Sequence, residues 1–199
     1  GDVRDFNIMV NLTKGIDILF HLAALKHVPV CEENSWESVQ TNVIGTHNVI
    51  QACIENKVKV MVDVSTDKAV EPHNIYGITK ACAEKLVVNS FHNYQSSTRF
   101  ICIRGGNVVG TNGSVIPLFR KQLEEQNYLT VTNPKMTRYL MKTNDAINLI
   151  FKAIEVSKGG EIFVMRMKST SIKFLADSII NLFGNSKSYI KILGRRPGE

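Results

Sequence analysis

The sequence predicts an α/β fold, with a doubly wound parallel sheet and a small α+β lobe, from three observations. Near-continuous apolar runs alternate with longer amphipathic segments, which is the pattern of βαβ units. The apolar runs show no regular polar alternation, as expected for strands that helices cover on both faces. After about residue 113 the pattern changes to short strands mixed with two helices, which predicts the lobe.

The elements of the sheet region follow from the length and periodicity of each segment. Short runs of apolar and β-branched residues predict strands, and apolar residues that recur with helical spacing predict helices. In chain order we expect a strand at 17–24 (DILFHLAA), a helix at 36–56, a strand at 59–66, a helix at 76–94, a strand at 99–105 and a helix at 115–126. Pro117 fits the first turn of that last helix, where no N–H is needed.

The lobe is predicted from the segments after residue 113. Its strands are YLTVTN, TRYLM, EIFVMRM and YIKIL, and its helices cover 143–156 and 171–183. We therefore expect a sheet domain over residues 1–113 and a lobe over 114–199 that is interleaved with it. Ligands of such folds bind beyond the carboxyl ends of the parallel strands, so the polar residues there are the candidate site.

Amino-acid composition and net charge indicate which classes of protein fit this sequence. The 199 residues are 44% hydrophobic and 21% charged, which is typical of a folded domain with its own core. The net charge of +6 attracts anions, which include nucleotide diphosphates and nucleic acids. The basic residues are scattered and form no stripe with aromatic residues, so we expect no nucleic-acid partner.

The sequence lacks the motifs typical of metal sites and of membrane-spanning segments. The four cysteines form no CxxC pair and the five histidines no HExxH motif, so no metal site is expected. Such widely spaced thiols fit a reducing compartment. No apolar run approaches the roughly 20 residues that span a bilayer, and no signal peptide opens the chain. We expect a cytoplasmic location and no membrane segment within these 199 residues.

The stretch VSTDKAVEPHNIYGITK, residues 64–80, carries the candidate chemistry. Thr66 and Asp67 follow the second predicted strand, close to the start of the next helix. Tyr76 and Lys80 lie four residues apart at that helix start, so their side chains share one face. A nearby ammonium and the positive end of a helix lower a tyrosine pKa, which suits proton exchange with a substrate alcohol. Taken alone, YxxxK is more often a surface tyrosine beside a solvated lysine.

Six motifs place this stretch in a wider pattern: HLAALKHVP, NVIGTHNVI, DVSTDKAVEPHNIYGITKACAEKL, IRGGNVVGTNGSVIPLF, MTRYLM and RPGE. In this order they resemble the extended short-chain dehydrogenase/reductases, most closely the configuration-inverting UDP-N-acetylglucosamine 4,6-dehydratases (CapD-like) of bacterial polysaccharide biosynthesis. The resemblance covers essentially the whole chain and implies a Rossmann-like sheet. Against that family the chain lacks the first strands and the glycine-rich loop. Residues 1–113 are thus expected to be a partial dinucleotide-binding domain and 114–199 mainly a substrate-binding lobe.

The resemblance implies a reaction on a UDP-sugar with a nicotinamide cofactor, NADP or else NAD. Hydride leaves sugar C4 for the cofactor while Tyr76 takes the 4-hydroxyl proton. Thr66 orients that hydroxyl, and Lys80 supports the tyrosine and the cofactor ribose. The C5 proton and the C6 hydroxyl then leave, and the hydride returns to C6. Reprotonation of C5 from the opposite face inverts its configuration.

Asp67 and Lys68 mark a difference from the retaining sugar-nucleotide dehydratases, which carry Asp-Glu at the matching positions. The resemblance implies Lys68 as the base at C5 and Asp67 as the acid that protonates the departing C6 hydroxyl. The alternative is an ion pair at the strand end without a catalytic role.

The binding residues are likewise implied by the resemblance. For the cofactor they are Asp2, Val3, Leu22, Ala23, Ala24, Lys26, Tyr76, Lys80, Gly105 and Gly106. For the UDP-sugar they are Lys26, Asn107, Arg138, Arg196 and Glu199. Planar guanidinium groups suit diphosphate oxygens, and the glycines leave space beside the nicotinamide. An ordinary surface or core role is the alternative at each position.

Two other functions stay open. A 4-epimerase or simple dehydrogenase on the same UDP-sugar needs no base at C5, and the Asp67-Lys68 pair argues against it. A truncated, non-catalytic domain is the second, because the chain contains no GxGxxG phosphate loop. In that case we expect poor dinucleotide binding and an exposed edge of DILFHLAA, which favours homo-oligomers or aggregation.

Overall fold

A computed structural model describes the chain except for six residues, Gln95, Asn112, Arg195, Arg196, Pro197 and Glu199. The described residues form two compact units. The first unit comprises Gly1–Gly105 and Ile147–Met165, together with Gly198. The second comprises Gly106–Ala146 and the remaining described residues from Arg166 onwards. The segment 147–165, expected in the lobe, thus belongs to the unit that contains the sheet.

The elements are numbered in chain order. The helices are α1 Phe6–Leu12, α2 Val28–Glu33, α3 Ser35–Val39, α4 Gly45–Glu55, α5 Ile75–Asn93, α6 Val115–Gln126, α7 Thr143–Val156 and α8 Ile172–Phe183. The strands are β1 Ile18–His21, β2 Val60–Thr66, β3 Arg99–Gly105, β4 Asn107–Val108, β5 Tyr128–Val131, β6 Thr137–Met141, β7 Ile162–Val164, β8 Lys168–Ser171 and β9 Tyr189–Ile192. A π-helical turn, Gln40–Ile44, joins α3 to α4, and a 3-10 turn, Asp67–Ala69, follows β2.

The first unit is built on a parallel sheet in the order β1-β2-β3-β7. In its register His21 of β1 lies beside Asp63 of β2, and Asp63 lies beside Cys102 of β3. At the carboxyl end of β2, Thr66 pairs with Gly105 of β3. This edge of the sheet therefore brings the ends of two central strands together.

Apolar clusters cover both faces of this sheet. On one face Met61 and Phe100 pack with α4 and α5 residues such as Val87. On the other face Val62 packs with Ala153 of α7 and neighbouring apolar side chains. Helices on both faces explain why the two central strands, β2 and β3, are mostly apolar and buried. The predicted α/β class with a Rossmann-like, doubly wound parallel sheet is confirmed.

The segment 36–56 differs from the single helix that its periodicity predicts. It is divided into α3, the π-helical turn and α4. Asn42 in the π-helical turn is buried, and its side chain accepts a hydrogen bond from Leu25 N at 2.8 Å and donates to Leu25 O at 2.9 Å. It also donates to Thr79 Oγ1 at 3.0 Å. These tertiary bonds favour a local π turn, which apolar periodicity does not reveal.

A second difference concerns EIFVMRM, which the sequence groups with the lobe. Its strand β7 pairs in parallel with β3, with Ile103 beside Phe163. Partly buried Phe163 packs on the apolar cluster around Val62 and Ile101. Burial against this core, which a short run of apolar residues cannot specify by itself, therefore assigns β7 to the sheet of the first unit.

The second unit is a small α+β assembly. Strand β6 pairs in parallel with β4 and antiparallel with β8, and β5 pairs in parallel with β9. Its core lies between α6, α8 and β5 and includes Phe119, Leu129 and Ile179. Among the residues that the structure describes, no helix is long and apolar enough to cross a bilayer.

Candidate active site

The end of β2 is organised by the Thr66 hydroxyl. Thr66 caps the following 3-10 turn, because Lys68 N donates a hydrogen bond to Thr66 Oγ1 at 3.3 Å. The Thr66 hydroxyl donates to Asp67 Oδ1 at 3.1 Å. The strand end therefore fixes three of the predicted site residues, Thr66, Asp67 and Lys68, relative to one another.

Helix α5 begins directly beside this turn. Asn74 caps the helix by accepting a hydrogen bond from Gly77 N on its Oδ1 at 2.8 Å. A Cβ atom at Gly77 would overlap the Lys68 carbonyl oxygen and lie 3.0 Å from Pro72 Cβ. Only glycine allows this close approach of the helix to the turn. The approach places the first turn of α5, which carries Tyr76, at the end of β2.

Tyr76 is half-buried, and its hydroxyl is hydrogen-bonded to Thr66. Burial raises the pKa of Tyr76, while the hydrogen bond with Thr66 lowers it in part and the charges of Asp67 and Asp63 raise it further. This direction is opposite to the lowered pKa that the sequence predicts. The physical reason is that desolvation disfavours the phenolate, and the neighbouring charges that act on it are negative.

Lys80 lies one turn further along α5 and forms an ion pair with Asp63. Its Nζ is 3.1 Å from Asp63 Oδ1 and 3.3 Å from Oδ2. The side chains of Lys80 and Asp63 are only 3% and 0% exposed. The sequence analysis missed Asp63. A signal was present, since a carboxylate within the apolar run VMVDVST is almost never buried without a partner.

Asp67 and Lys68 form an ion pair of 3.0 Å between Lys68 Nζ and Asp67 Oδ1. Their side chains are 20% and 31% exposed, so both are partly accessible from solvent. This geometry agrees with the strand-end ion pair that the sequence leaves as an alternative. It equally places a carboxylate and an amine side by side next to Tyr76, as acid–base chemistry on a substrate requires.

The predicted cofactor residues of the first unit lie at its surface. Leu22 and Ala23, just beyond β1, are exposed, as is Lys26, whereas Ala24 is half-buried. The structure thus leaves an open, mostly small and apolar surface after the first strand of the described sheet.

Asp2 and Val3 lie at the start of the first unit. Asp2 is exposed and pairs with Arg4, with 2.7 Å between Asp2 Oδ2 and Arg4 Nη2. Hydrogen bonds from Arg4 lower the pKa of Asp2 to about 2. The Val3 carbonyl accepts a hydrogen bond from Asn48 Nδ2 at 3.1 Å. Arg4 and Asn48 were not anticipated from the sequence, and both orient the segment that carries Asp2.

Gly105 ends β3 in the first unit, and Gly106 begins the second. A Cβ at Gly106 would lie 2.7 Å from Met167 Sδ and 3.0 Å from Tyr139 Cβ. In this structure the missing side chain of Gly106 therefore makes room for protein atoms of the second unit. The sequence analysis attributes that space to a nicotinamide ring instead.

Two predicted substrate residues line one cavity of about 250 Å³ in the second unit, Asn107 and Arg138. Asn107 Nδ2 donates to Tyr139 O at 3.0 Å, and Arg138 Nη1 donates to Thr137 O at 2.8 Å. The buried Ser114 Oγ, in the same lining, has no hydrogen-bond partner among the described residues. The cavity thus combines an amide, a guanidinium and a hydroxyl. Arg196 and Glu199 lie outside the described residues.

A parallel sheet in which the central strand β2 ends in Thr66, followed by a helix that carries Tyr76 and Lys80, is the arrangement expected of an extended short-chain dehydrogenase/reductase. The chain belongs to the family described as polysaccharide biosynthesis protein, whose model matches residues 1–199. This confirms the resemblance drawn from the sequence motifs.

Curated relatives match the chain over its whole length. An uncharacterized membrane protein of Methanocaldococcus jannaschii is 42% identical over 206 residues, which cover 100% of this chain and 62% of the relative. A UDP-glucose 4-epimerase of Rickettsia canadensis is 43% identical over 200 residues, which cover 100% of this chain and 58% of the relative. The chain therefore spans less than two thirds of the length of these relatives.

Solved structures share the fold. The X-ray structure of Pen from Bacillus thuringiensis is 41% identical and gives a TM-score of 0.97, over 100% of this chain and 63% of that chain. The dTDP-glucose 4,6-dehydratase DesIV of Streptomyces venezuelae, solved with NAD and TYD bound, gives a TM-score of 0.90. It is 23% identical and covers 100% of this chain and 67% of that chain, a likeness of fold alone.

Proposed function

We propose that this chain carries the catalytic groups of an NAD(P)-dependent 4,6-dehydratase that acts on a UDP-N-acetylhexosamine and inverts C5. The product would enter bacterial polysaccharide or glycan synthesis. The observation that carries the proposal is the cluster at the end of β2, where the Thr66 and Tyr76 hydroxyls share a hydrogen bond beside the Asp67–Lys68 pair. A hydroxyl relay next to an acid and an amine suits alcohol oxidation followed by elimination.

Tyr76 and Thr66 handle the proton of the sugar 4-hydroxyl in this proposal. Tyr76 Oη accepts that proton, and Thr66 Oγ1 orients the sugar hydroxyl. Burial raises the pKa of Tyr76, and the hydrogen bond with Thr66 opposes that shift and so favours its action as a base. Lys80, one helical turn away, supports the tyrosine in this proposal. The capped first turn of α5 holds these groups in place.

Lys68 and Asp67 carry the elimination. Lys68 Nζ removes the proton at C5, which the adjacent ketone makes acidic, and Asp67 protonates the departing C6 hydroxyl. Before elimination the shared proton of the pair must lie on Asp67, which leaves Lys68 as a neutral amine, and their 3.0 Å contact lets the proton taken from C5 return from the lysine to the carboxylate. Tyr76 releases its proton to solvent, and solvent supplies the proton that C5 gains on its opposite face. A 4-epimerase needs neither a base at C5 nor an acid at C6.

The cofactor site is proposed on the first unit. Bound NAD(P) would accept the hydride from C4 and return it to C6. The exposed Leu22 and Ala23 after β1 leave space for a dinucleotide backbone, and Lys26 and Lys80 supply donors for its ribose. The DesIV structure, which shares the fold, contains NAD, whereas the family resemblance favours NADP.

The nucleotide part of the substrate is proposed for the second unit. Arg138 in the 250 Å³ cavity offers a guanidinium for diphosphate oxygens, and Asn107 offers an amide for the sugar or nucleotide. Ser114, in the lining of the same cavity, adds a buried hydroxyl without a hydrogen-bond partner among the described residues. By the family resemblance, Arg196 is proposed as a clamp for the diphosphate and Glu199 as a ligand of the uridine ribose hydroxyls.

A second candidate is a UDP-glucose 4-epimerase. The observation that favours it is the 43% identity to a curated relative with that name. Epimerisation would use Tyr76, Thr66 and Lys80 in the same way and leave Asp67 and Lys68 as an ion pair without a catalytic role.

The full-length gene product incubated with UDP-N-acetylglucosamine in deuterated water, followed by NMR, decides between these functions. We expect a 4-keto sugar that has lost its C6 hydroxyl and is inverted and deuterated at C5. Formation of the C4 epimer without dehydration would establish the second candidate. An unchanged UDP-sugar with both UDP-N-acetylglucosamine and UDP-glucose would move the protein to the non-catalytic class.

Substitutions at the acid–base pair test the roles within the dehydratase. Lys68→Ala and Asp67→Ala are each expected to slow dehydration by about 100-fold or more, a typical general acid–base contribution. The control Lys121→Ala removes an exposed lysine of α6 that pairs with Glu125 at 3.7 Å. Dehydration at the wild-type rate in Lys68→Ala would exclude Lys68 as the C5 base.

A further inference from the structure

Asp63 is a carboxylate in the middle of β2, one of the two central strands of the sheet, and neither the family motifs nor the proposed chemistry assigns it a role. Its side chain is 0% exposed, and it pairs in register with His21 on one side and Cys102 on the other. Burial of a carboxylate is costly unless a partner compensates its charge. That partner is Lys80, through contacts of 3.1 and 3.3 Å.

The surroundings of the Asp63–Lys80 pair hold it in one place. Met61, which shares a strand face with Asp63, packs in the apolar cluster with α5. His21 is buried beside the pair, and desolvation lowers its pKa, so that it adds no positive charge at neutral pH. The two hydrogen bonds described for the Lys80 ammonium both go to Asp63, and an ammonium has three N–H donors.

We propose that Asp63 is a positioning residue. It fixes the Lys80 ammonium one helical turn from Tyr76 and directs the remaining N–H donor of Lys80 to the ribose of the nicotinamide cofactor. The inference rests on the proposed function for the identity of that ligand. It assigns Asp63 an action through Lys80 and no contact with the sugar.

A stabilising role alone does not account for the pair. A buried ion pair stabilises the fold little more than an apolar pair of similar volume, because the cost of desolvating the two charges offsets their attraction. Holding a lysine at a fixed position with its charge intact is what an apolar pair cannot do. A second ion pair on α5 offers a comparison, since Glu84 is 3% exposed and binds Arg104, with 3.0 Å between Arg104 Nε and Glu84 Oε1.

Cofactor affinity is the direct test. NADPH and NADH are titrated by fluorescence into the full-length wild type, Asp63→Asn, Lys80→Met and the double variant. We expect Asp63→Asn and Lys80→Met each to weaken dinucleotide binding about tenfold, as loss of one charge-assisted hydrogen bond does. The double variant should bind as Lys80→Met does, because a residue that acts through Lys80 has no effect once Lys80 is absent.

Steady-state kinetics with the UDP-sugar give a second readout. Asp63→Asn should lower kcat about 100-fold with little change in KM for the sugar. The matched control is Glu84→Gln, which breaks the other buried pair on α5 and should leave kcat and dinucleotide affinity within about twofold. Thermal unfolding of both variants separates loss of stability from loss of positioning.

The outcomes separate this inference from the proposed function. The positioning role would be overturned if the losses of dinucleotide affinity in Asp63→Asn and Lys80→Met multiplied in the double variant. It would also be overturned if Glu84→Gln lost as much affinity and kcat as Asp63→Asn. A wild type that binds dinucleotide but leaves the UDP-sugar unchanged overturns the proposed function alone, because the binding cycle still tests Asp63. A wild type that binds neither dinucleotide overturns both. If Asp63→Asn does not fold, the charge-free pair Asp63→Leu/Lys80→Met replaces the double variant and must match Lys80→Met.

Discussion

His21 illustrates how single buried residues couple this fold to pH. Its side chain is 3% exposed, and Nε2 is 3.0 Å from Thr46 Oγ1. Burial lowers its pKa from 6.5, with Asp63 opposing the shift and Lys80 adding to it. The folded protein therefore holds His21 neutral at a pH where the unfolded chain already binds a proton.

Stability should consequently fall in acid because of His21. Between the lowered native pKa and 6.5 the unfolded state binds more protons than the folded state, so the free energy of unfolding rises with pH. Above that window the contribution is complete. The limiting slope is about 1.4 kcal/mol per pH unit.

Urea unfolding from pH 5 to 8 measures this slope in wild type and in His21→Gln. The variant should lack it, whereas the exposed His47→Gln should retain it. The same slope in wild type and His21→Gln would contradict a neutral buried His21.

At the scale of elements, the start of α5 connects stability to the site. Asn74 caps α5 through Gly77 N at 2.8 Å, and Ser171 caps α8 in the second unit through Phe174 N at 3.1 Å. Removal of either cap should cost about 1 kcal/mol in unfolding free energy. Only Asn74→Ala should also reduce turnover, because the first turn of α5 carries Tyr76.

Unfolding and turnover of Asn74→Ala and Ser171→Ala, measured in parallel, check this prediction. An equal loss of turnover in both variants would indicate a general stability effect instead of a local one at α5.

Prediction from sequence succeeded for elements with a single dominant pattern. The helix expected at 76–94 is α5 Ile75–Asn93, and the strand expected at 99–105 is β3 Arg99–Gly105. It failed where tertiary bonds override periodicity, as at the π-helical turn that Asn42 holds against Leu25. The short helices α1 and α2 were also missed, since one or two turns carry too few residues for a periodic signal.

At the scale of the molecule, β1 forms an edge of the sheet that the structure describes. Ile18 and Phe20 on this strand are 41% and 43% exposed, and Phe20 meets Phe151 of α7 with ring centroids 6.4 Å apart. An apolar edge strand is a template for pairing with another chain. The 199-residue polypeptide by itself should therefore self-associate as its concentration rises.

Sedimentation velocity over a concentration series measures this association. Phe20→Lys should reduce it, because a charge on an edge strand opposes pairing. Leu182→Lys, at a 72% exposed position of α8, is the control with the same change in charge. A polypeptide that stays monomeric at all concentrations would show that the edge is protected.

The sequence by itself determined the α/β class, the parallel strands and the family, because apolar periodicity and the motif around Thr66, Tyr76 and Lys80 are local and ordered along the chain. Tertiary structure alone decided that Lys80 pairs with Asp63, that burial raises the pKa of Tyr76, and that β7 joins the first sheet. These features depend on which groups lose water together and which strands become neighbours. Both are properties of the packed chain in three dimensions.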